Sequence, residues 1–162
     1  MVIEELKKEE AALAAPLAAQ FRVKLRSFKG IISEPDIPAG EEELNEYLGM
    51  GYPVYVAREE GKPVGYAVLR VDGYCVWVES LFVLEEYRRR GIASALFDRA
   101  EEYAASIGED TVYNYIHPNN EAVIAFLRSK GYSVLNLIEV RKPYAGEKIE
   151  GKVRVGENEF DY

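Results

Sequence analysis

Three arginines and a glycine stand where a strand would end and a helix begin. Residues 78–104 read VESLFVLEEYRRRGIASALFDRAEEYA. The apolar part predicts a strand through Leu84. A charged turn follows at Arg88, Arg89 and Arg90, and a helix opens at Gly91. The first turn of a helix carries N–H groups without intrahelical partners, and the macrodipole puts partial positive charge there. Such an end can hold a phosphate or pyrophosphate. Gly91 lets the backbone come close to a ligand, and Ala93 and Ser94 keep the next turn slim. Other chemistry is sparse. One histidine (His117) and one cysteine (Cys75) can form neither a zinc site of the usual kinds nor an internal disulfide, so no metal is expected. The absence of GxxxxGK[ST] and GxGxxG patterns argues against nucleotide hydrolysis and dinucleotide binding.

Glu79 is the candidate base. By strand alternation it shares a face with Trp77, Leu81 and Val83, and a bulge would flip it. A carboxylate inside an apolar strand is costly unless it is paired or functional. Two readings stand: a base relaying a proton through water, or a glutamate in solvent or a salt bridge. His117, before Pro118, reads either as a base or as a loop histidine held by local partners. Tyr113, Tyr115 and Tyr132 carry hydroxyls of suitable type, and each also reads as a core or rim aromatic. The acidic runs at 41–43, 59–60, 85–86 and 101–102 read as solvated faces.

Several elements must position these residues. Residues 2–6 predict a short strand and residues 8–28 a helix. Leu13, Leu17, Phe21, Leu25 and Phe28 form its apolar stripe, and Pro16 should kink or split it. Residues 33–36 read as a loop. Pro38 should open a second helix through Leu48, ended by Gly49 and Gly51. The period then changes to two. Strands at 54–57, 63–71 and 74–84 should pair as an antiparallel meander, with Asp72-Gly73 as a hairpin turn. The helix from Gly91 to about Ile107 should bury Ile92, Leu96, Ala100, Tyr103 and Ile107. A strand at 111–116 should lie parallel to the third, across a right-handed crossover. Asn119-Asn120 should cap a helix to Lys130 that turns Val123, Phe126 and Leu127 inward, with Gly131 beyond it. Residues 132–140 and 152–155 predict the last strands. The pattern is a mixed α/β layered fold, one domain over residues 1–162, with a tail from 143.

With 162 residues, 48% of them hydrophobic, the chain is long enough for a real core. No run of about 18 apolar residues offers a membrane span, and the N-terminus lacks a secretory pattern. A reducing, cytoplasmic compartment is expected. A net charge of −8 argues against nucleic acid as a partner. The acidity suits a cationic or amine-bearing substrate, or simply keeps the protein soluble.

Taken together, the motifs resemble the GCN5-related N-acetyltransferase family. The family's [QR]-x-x-G-x-[GA] motif corresponds to Arg88-Arg89-Arg90-Gly91-Ile92-Ala93. Its E-x-L-x-V strand corresponds to Glu79-Ser80-Leu81-Phe82-Val83. Its Asn-led helix corresponds to residues 120–132. Order and spacing match over roughly residues 52–140. The resemblance implies a fold with an antiparallel N-terminal meander in a mixed central sheet flanked by helices. It implies acetyl-CoA as cosubstrate and a primary amine, on a small molecule or a peptide, as acceptor in a ternary complex. Backbone groups of Leu81, Phe82 and Val83 would bind the pantetheine arm where two parallel strands splay. N–H groups of Arg89, Arg90, Gly91, Ile92, Ala93 and Ser94 would bind the pyrophosphate. Arg88 would add a charged contact, and Asn120 would touch the pantetheine. A backbone N–H near Val83 would hold the oxyanion. A homodimer is compatible with the family.

The family's general-acid tyrosine falls here on Leu127 or Phe126, neither of which carries a proton. Tyr115 is the expected substitute and Glu79 the expected base. A thiol with pKa about 8.5 still leaves as the anion, so a missing acid slows transfer without forbidding it. The alternative is a CoA-binding sensor or scaffold without catalysis. A lysine amine of pKa about 10.4 is neutral only about once in a few thousand at pH 7, against roughly one in ten for a peptide α-amine. A lightly equipped site therefore leans toward α-amines or other low-pKa amines.

Overall fold

The computed structural model describes residues 1–162. The chain forms two compact units, Met1–Phe126 and Leu127–Tyr162. In the first, five strands lie in the order β1 (Val2–Glu5), β2 (Val54–Glu59), β3 (Lys62–Asp72), β4 (Cys75–Val83) and β5 (Tyr113–Asn114). The first four pair antiparallel, and β5 joins β4 in parallel. The meander matches its sequence pattern. The pairing of β1 with β2 adds a fourth antiparallel strand that local periodicity does not reveal.

Helices cover both faces. α1 (Ala11–Ser27) and α2 (Ile37–Gly49) lie over one, with Leu17, Leu44, Val54, Val56, Tyr66, Val68 and Phe82 buried together. α3 (Ile92–Ser106) lies over the other, where Ile92 and Leu96 meet Val64, Ala67 and Val83. α2 starts where its sequence says it should. Asp36 accepts a hydrogen bond from the Ala39 N–H at 3.0 Å, and Pro38 sits in the first turn.

Three expectations need correction. Pro16 lies inside one unbroken α1, and the buried side is alanine-rich: Ala11, Ala14, Ala15, Leu17, Ala18 and Ala19. Leu13 is 55% exposed. Small residues define this face because α2 packs unusually close. A β carbon on Gly40 would stand 2.6 Å from the Ala15 carbonyl oxygen and 2.9 Å from the Ala19 nitrogen. The second correction is one of register. Asp72 pairs with Cys75, so Gly73 and Tyr74 make the hairpin turn, with Gly73 at φ +60°. Third, residues 132–140 form no strand, and β5 is only two residues long. Strand propensity alone does not make a strand; its amide groups need a ladder partner.

In the second unit β6 (Lys152–Val155) and β7 (Asn158–Asp161) form an antiparallel hairpin. The first of these was expected and the second was not. α4 (Glu121–Ser129) crosses the boundary between the units and closes with Gly131 at φ +91°.

The close α1–α2 approach yields a stability prediction. Helix propensity alone favours Gly→Ala by roughly 1 kcal/mol. At Gly40 the obstacle is backbone, which cannot step aside, and overpacking of this kind costs about 1–3 kcal/mol. Gly40→Ala should therefore lower the urea midpoint of unfolding; an unchanged or raised midpoint would show that the two helices can part without cost.

Candidate active site

The turn before α3 leaves the helix start uncapped. Gly91 is the N-cap, in the left-handed region at φ +80°, and no side chain caps the helix. The Ala95 N–H donates to the Gly91 carbonyl at 2.9 Å. The N–H groups of Ile92, Ala93 and Ser94 precede that first bond and lack intrahelical partners. Arg89 also takes a positive φ, +62°, so the chain turns sharply twice before the helix. Its neighbours are tied down. Arg88 Nε donates to the Val83 carbonyl at 3.0 Å, with its guanidinium 5.8 Å from the Phe82 ring centre. Arg90 donates to the Glu86 carbonyl at 2.8 Å and lies over Tyr87. Both side chains are thus engaged by backbone carbonyls, while the amides at the helix start are left open. Beside this turn, a cleft of about 380 Å³ is lined by Gln20, Val23 and Lys24 of α1 and by Phe82, Glu85 and Arg88.

β4 leaves part of one edge unpaired. Its parallel pairing with β5 covers only Trp77↔Tyr113 and Val78↔Asn114, yet the strand continues to Val83. Its edge from Glu79 onward has no ladder on the β5 side. The Leu84 N–H donates to Val64 on β3 at 2.9 Å. By alternation the amide groups of Val83 and Leu81 face the open edge. Peptide-like groups of a ligand could pair with them as a strand would.

A β-bulge corrects the expected position of Glu79. Val68 pairs with Ser80 and Leu69 with Val78, leaving Glu79 as the extra residue. Leu81 and Val83 pack on the α3 face, but Glu79 turns to the α1–α2 face. There its carboxylate lies 3.7 Å from Arg70 Nε. Arg70 sits 5.1 Å from the Trp77 ring centre and 5.7 Å from that of Tyr115. Trp77 and Tyr115 stack at 4.6 Å and 7°. Glu79 and Tyr115, singled out separately from sequence, are thus brought together around Arg70.

Other expected residues make local contacts. The Asn120 carboxamide oxygen lies 3.4 Å from the Val123 N–H at the start of α4, so this side chain caps a helix. His117 accepts from the Asn119 N–H at 3.2 Å and stacks on Phe28 at 5.8 Å. Burial, and then Lys29, lowers its pKa. Those contacts favour the loop-histidine reading. Phe126 meets Phe97 edge-on at 5.6 Å and offers no proton.

Tyr47 was missed. Its hydroxyl accepts from Arg22 at 3.1 Å, while Arg22 also pairs with Glu43. Burial raises the Tyr47 phenol pKa, and the charges of Glu43 and Glu79 act in the same direction. Tyr66 and Ser80 bury hydroxyls that lack well-formed hydrogen bonds. No spacing rule connects residues 22, 43, 47, 66 and 79; only packing of α1 and α2 on the sheet joins them.

A sequence profile of the Acetyltransferase (GNAT) family matches residues 22–132. The chain belongs to the GNAT acetyltransferase family. An uncharacterised N-acetyltransferase of Methanocaldococcus jannaschii is 27% identical to this GNAT chain over 96 residues, 52% of this chain and 41% of that protein. The chain thus spans less than half the length of the curated relative it matches. Among solved structures, the PaiA N-acetyltransferase of Thermoplasma acidophilum in complex with coenzyme A superposes with a TM-score of 0.70 at 20% identity. That match covers 85% of this GNAT chain and 94% of the other. An aminoglycoside N-acetyltransferase in complex with CoA superposes at 0.68 and 19% identity, covering 87% and 93%. These likenesses establish the GNAT fold. No helix of this GNAT protein is long and apolar enough to cross a membrane.

Proposed function

We propose that this GNAT protein moves an acetyl group from acetyl-CoA to a primary amine by direct attack in a ternary complex, the chain working as one acetyltransferase domain in the cytoplasm. The observation that carries the reading is the open edge of β4, Glu79–Val83, running toward the uncapped start of α3. The Leu81–Val83 backbone would take the pantetheine amides, and the N–H groups of residues 89–94 the pyrophosphate. Arg88 borders that seat, and Asn120 would flank the arm from α4.

In the reaction the amine nitrogen bonds to the thioester carbonyl carbon and the C–S bond breaks. The Val83 N–H, on the open edge, would hold the oxyanion. Glu79 takes the proton the amine loses, through water. Tyr115 would supply one to the departing thiolate, which can also leave as the anion.

The second reading, a CoA-binding sensor, draws on apolar Phe126 and Leu127 at the family's tyrosine position. Two measurements decide. Acetyl-CoA should raise the melting temperature, and an amine panel should release free thiol from acetyl-CoA. A thermal shift without thiol release from any amine favours the sensor; no shift at all overturns both readings.

A further inference from the structure

Building on the N-acetyltransferase reading, we infer that Arg70 binds a carboxylate on the acceptor, so that the preferred substrates are primary amines carrying an acid group near the amine. Arg70 lies at the sheet position where β4 bulges and its pairing with β5 ends. Its guanidinium is held over two stacked rings, Trp77 and Tyr115. The two rings flank the guanidinium, whose planar fork suits a carboxylate.

Glu79 forms an ion pair with this cation but no hydrogen bond. At 3.7 Å the pair is longer than a hydrogen bond, and Arg70 Nε is buried with no hydrogen-bond partner. One third of the Arg70 side chain stays open to solvent. Arg22, which reaches this side of the sheet from α1, is engaged by Glu43 and Tyr47. Arg70 and Glu79 thus offer a positive and a negative pole side by side. An acceptor with an ammonium and a carboxylate is complementary to both: Glu79 meets the amine and Arg70 the acid. In a chain of net charge −8, a cation kept beside the candidate base calls for a specific anion.

The carboxylate has two sources, a free amino acid or an acidic first residue of a peptide. Thiol release is measured for two matched pairs, alanine against alaninamide and Asp-Ala-amide against Asn-Ala-amide. Each ratio is then compared between the wild type and Arg70→Gln, which cancels the acceptors' own basicity. The carboxylate preference should fall about ten- to hundredfold in the variant, as loss of a charge-assisted hydrogen bond requires. The pair that shows the fall names the source; an unchanged ratio in both overturns the assignment.

Arg70→Lys keeps the charge without the fork and should lose part of the preference. It serves as the readout if Arg70→Gln does not fold. Should no amine release thiol, the acetyltransferase reading fails, and binding alone then tests Arg70. Trp77 is the only tryptophan and lies under Arg70. Alanine or Asp-Ala-amide should change its fluorescence saturably in the wild type but not in Arg70→Gln. No saturable change with either overturns the inference.

Discussion

Replacing Gly91 with arginine should raise the dissociation constant for acetyl-CoA at least about a hundredfold, measured by calorimetric titration. The reason is local. Gly91 sits at φ +80°, where an L residue is strained by roughly 1–2 kcal/mol. A β carbon there meets nothing within 4 Å, so the protein could accommodate the side chain. What suffers is the seat itself. Relaxing φ swings the Ile92, Ala93 and Ser94 amides away, and the new side chain occupies the space above them. Two charge-assisted hydrogen bonds at about 1.5 kcal/mol each already amount to two orders of magnitude. Arg89→Ala should cost little, because that side chain is exposed and the proposed contacts to the pyrophosphate come from the backbone. Full affinity in the Gly91 variant would place the pyrophosphate elsewhere.

Glu79→Gln should lower kcat about 10²–10⁴-fold while acetyl-CoA affinity stays near that of the wild type. The amide keeps the size and a hydrogen-bonding end but cannot take the amine's proton. Without a base, only the neutral amine reacts. The variant's rate should then climb about tenfold per pH unit until pH reaches the acceptor's own pKa. This rise separates a lost base from a mispositioned Arg70, which would depress the rate equally at every pH. Wild-type kcat in Glu79→Gln would make the residue only an ion-pair partner of Arg70.

The two variants probe different levels of organisation. Gly91 acts through one dihedral angle and one helix end, both visible in RRRGIA. Glu79 acts through its surroundings: Arg70 on β3, Trp77 on its own strand, Tyr115 beyond β5 and Tyr47 on α2. The motif names Glu79, but strand alternation without a bulge puts it on the face of Leu81 and Val83. The bulge at Glu79 arises from the β3–β4 register, which pairs Val68 with Ser80 and Leu69 with Val78. Register depends on the whole ladder, so no window of sequence around residue 79 contains it. The alanine face of α1 escaped for a similar reason. A stripe of large apolar residues is what periodicity detects, whereas a face defined by close approach of Gly40 needs small ones.

The sequence by itself determined the glycine turn before α3, the hairpin meander, the helix after Gly91 and membership of the GNAT family. These depend on short-range rules: glycine's tolerance of positive φ, period-two and helical patterning, and unpaired amides at a helix start. The tertiary structure alone decided which face Glu79 uses. It also decided that Arg70 lies over Trp77 and Tyr115. Those arrangements join residues far apart in the chain, and only packing and ladder register fix their distances.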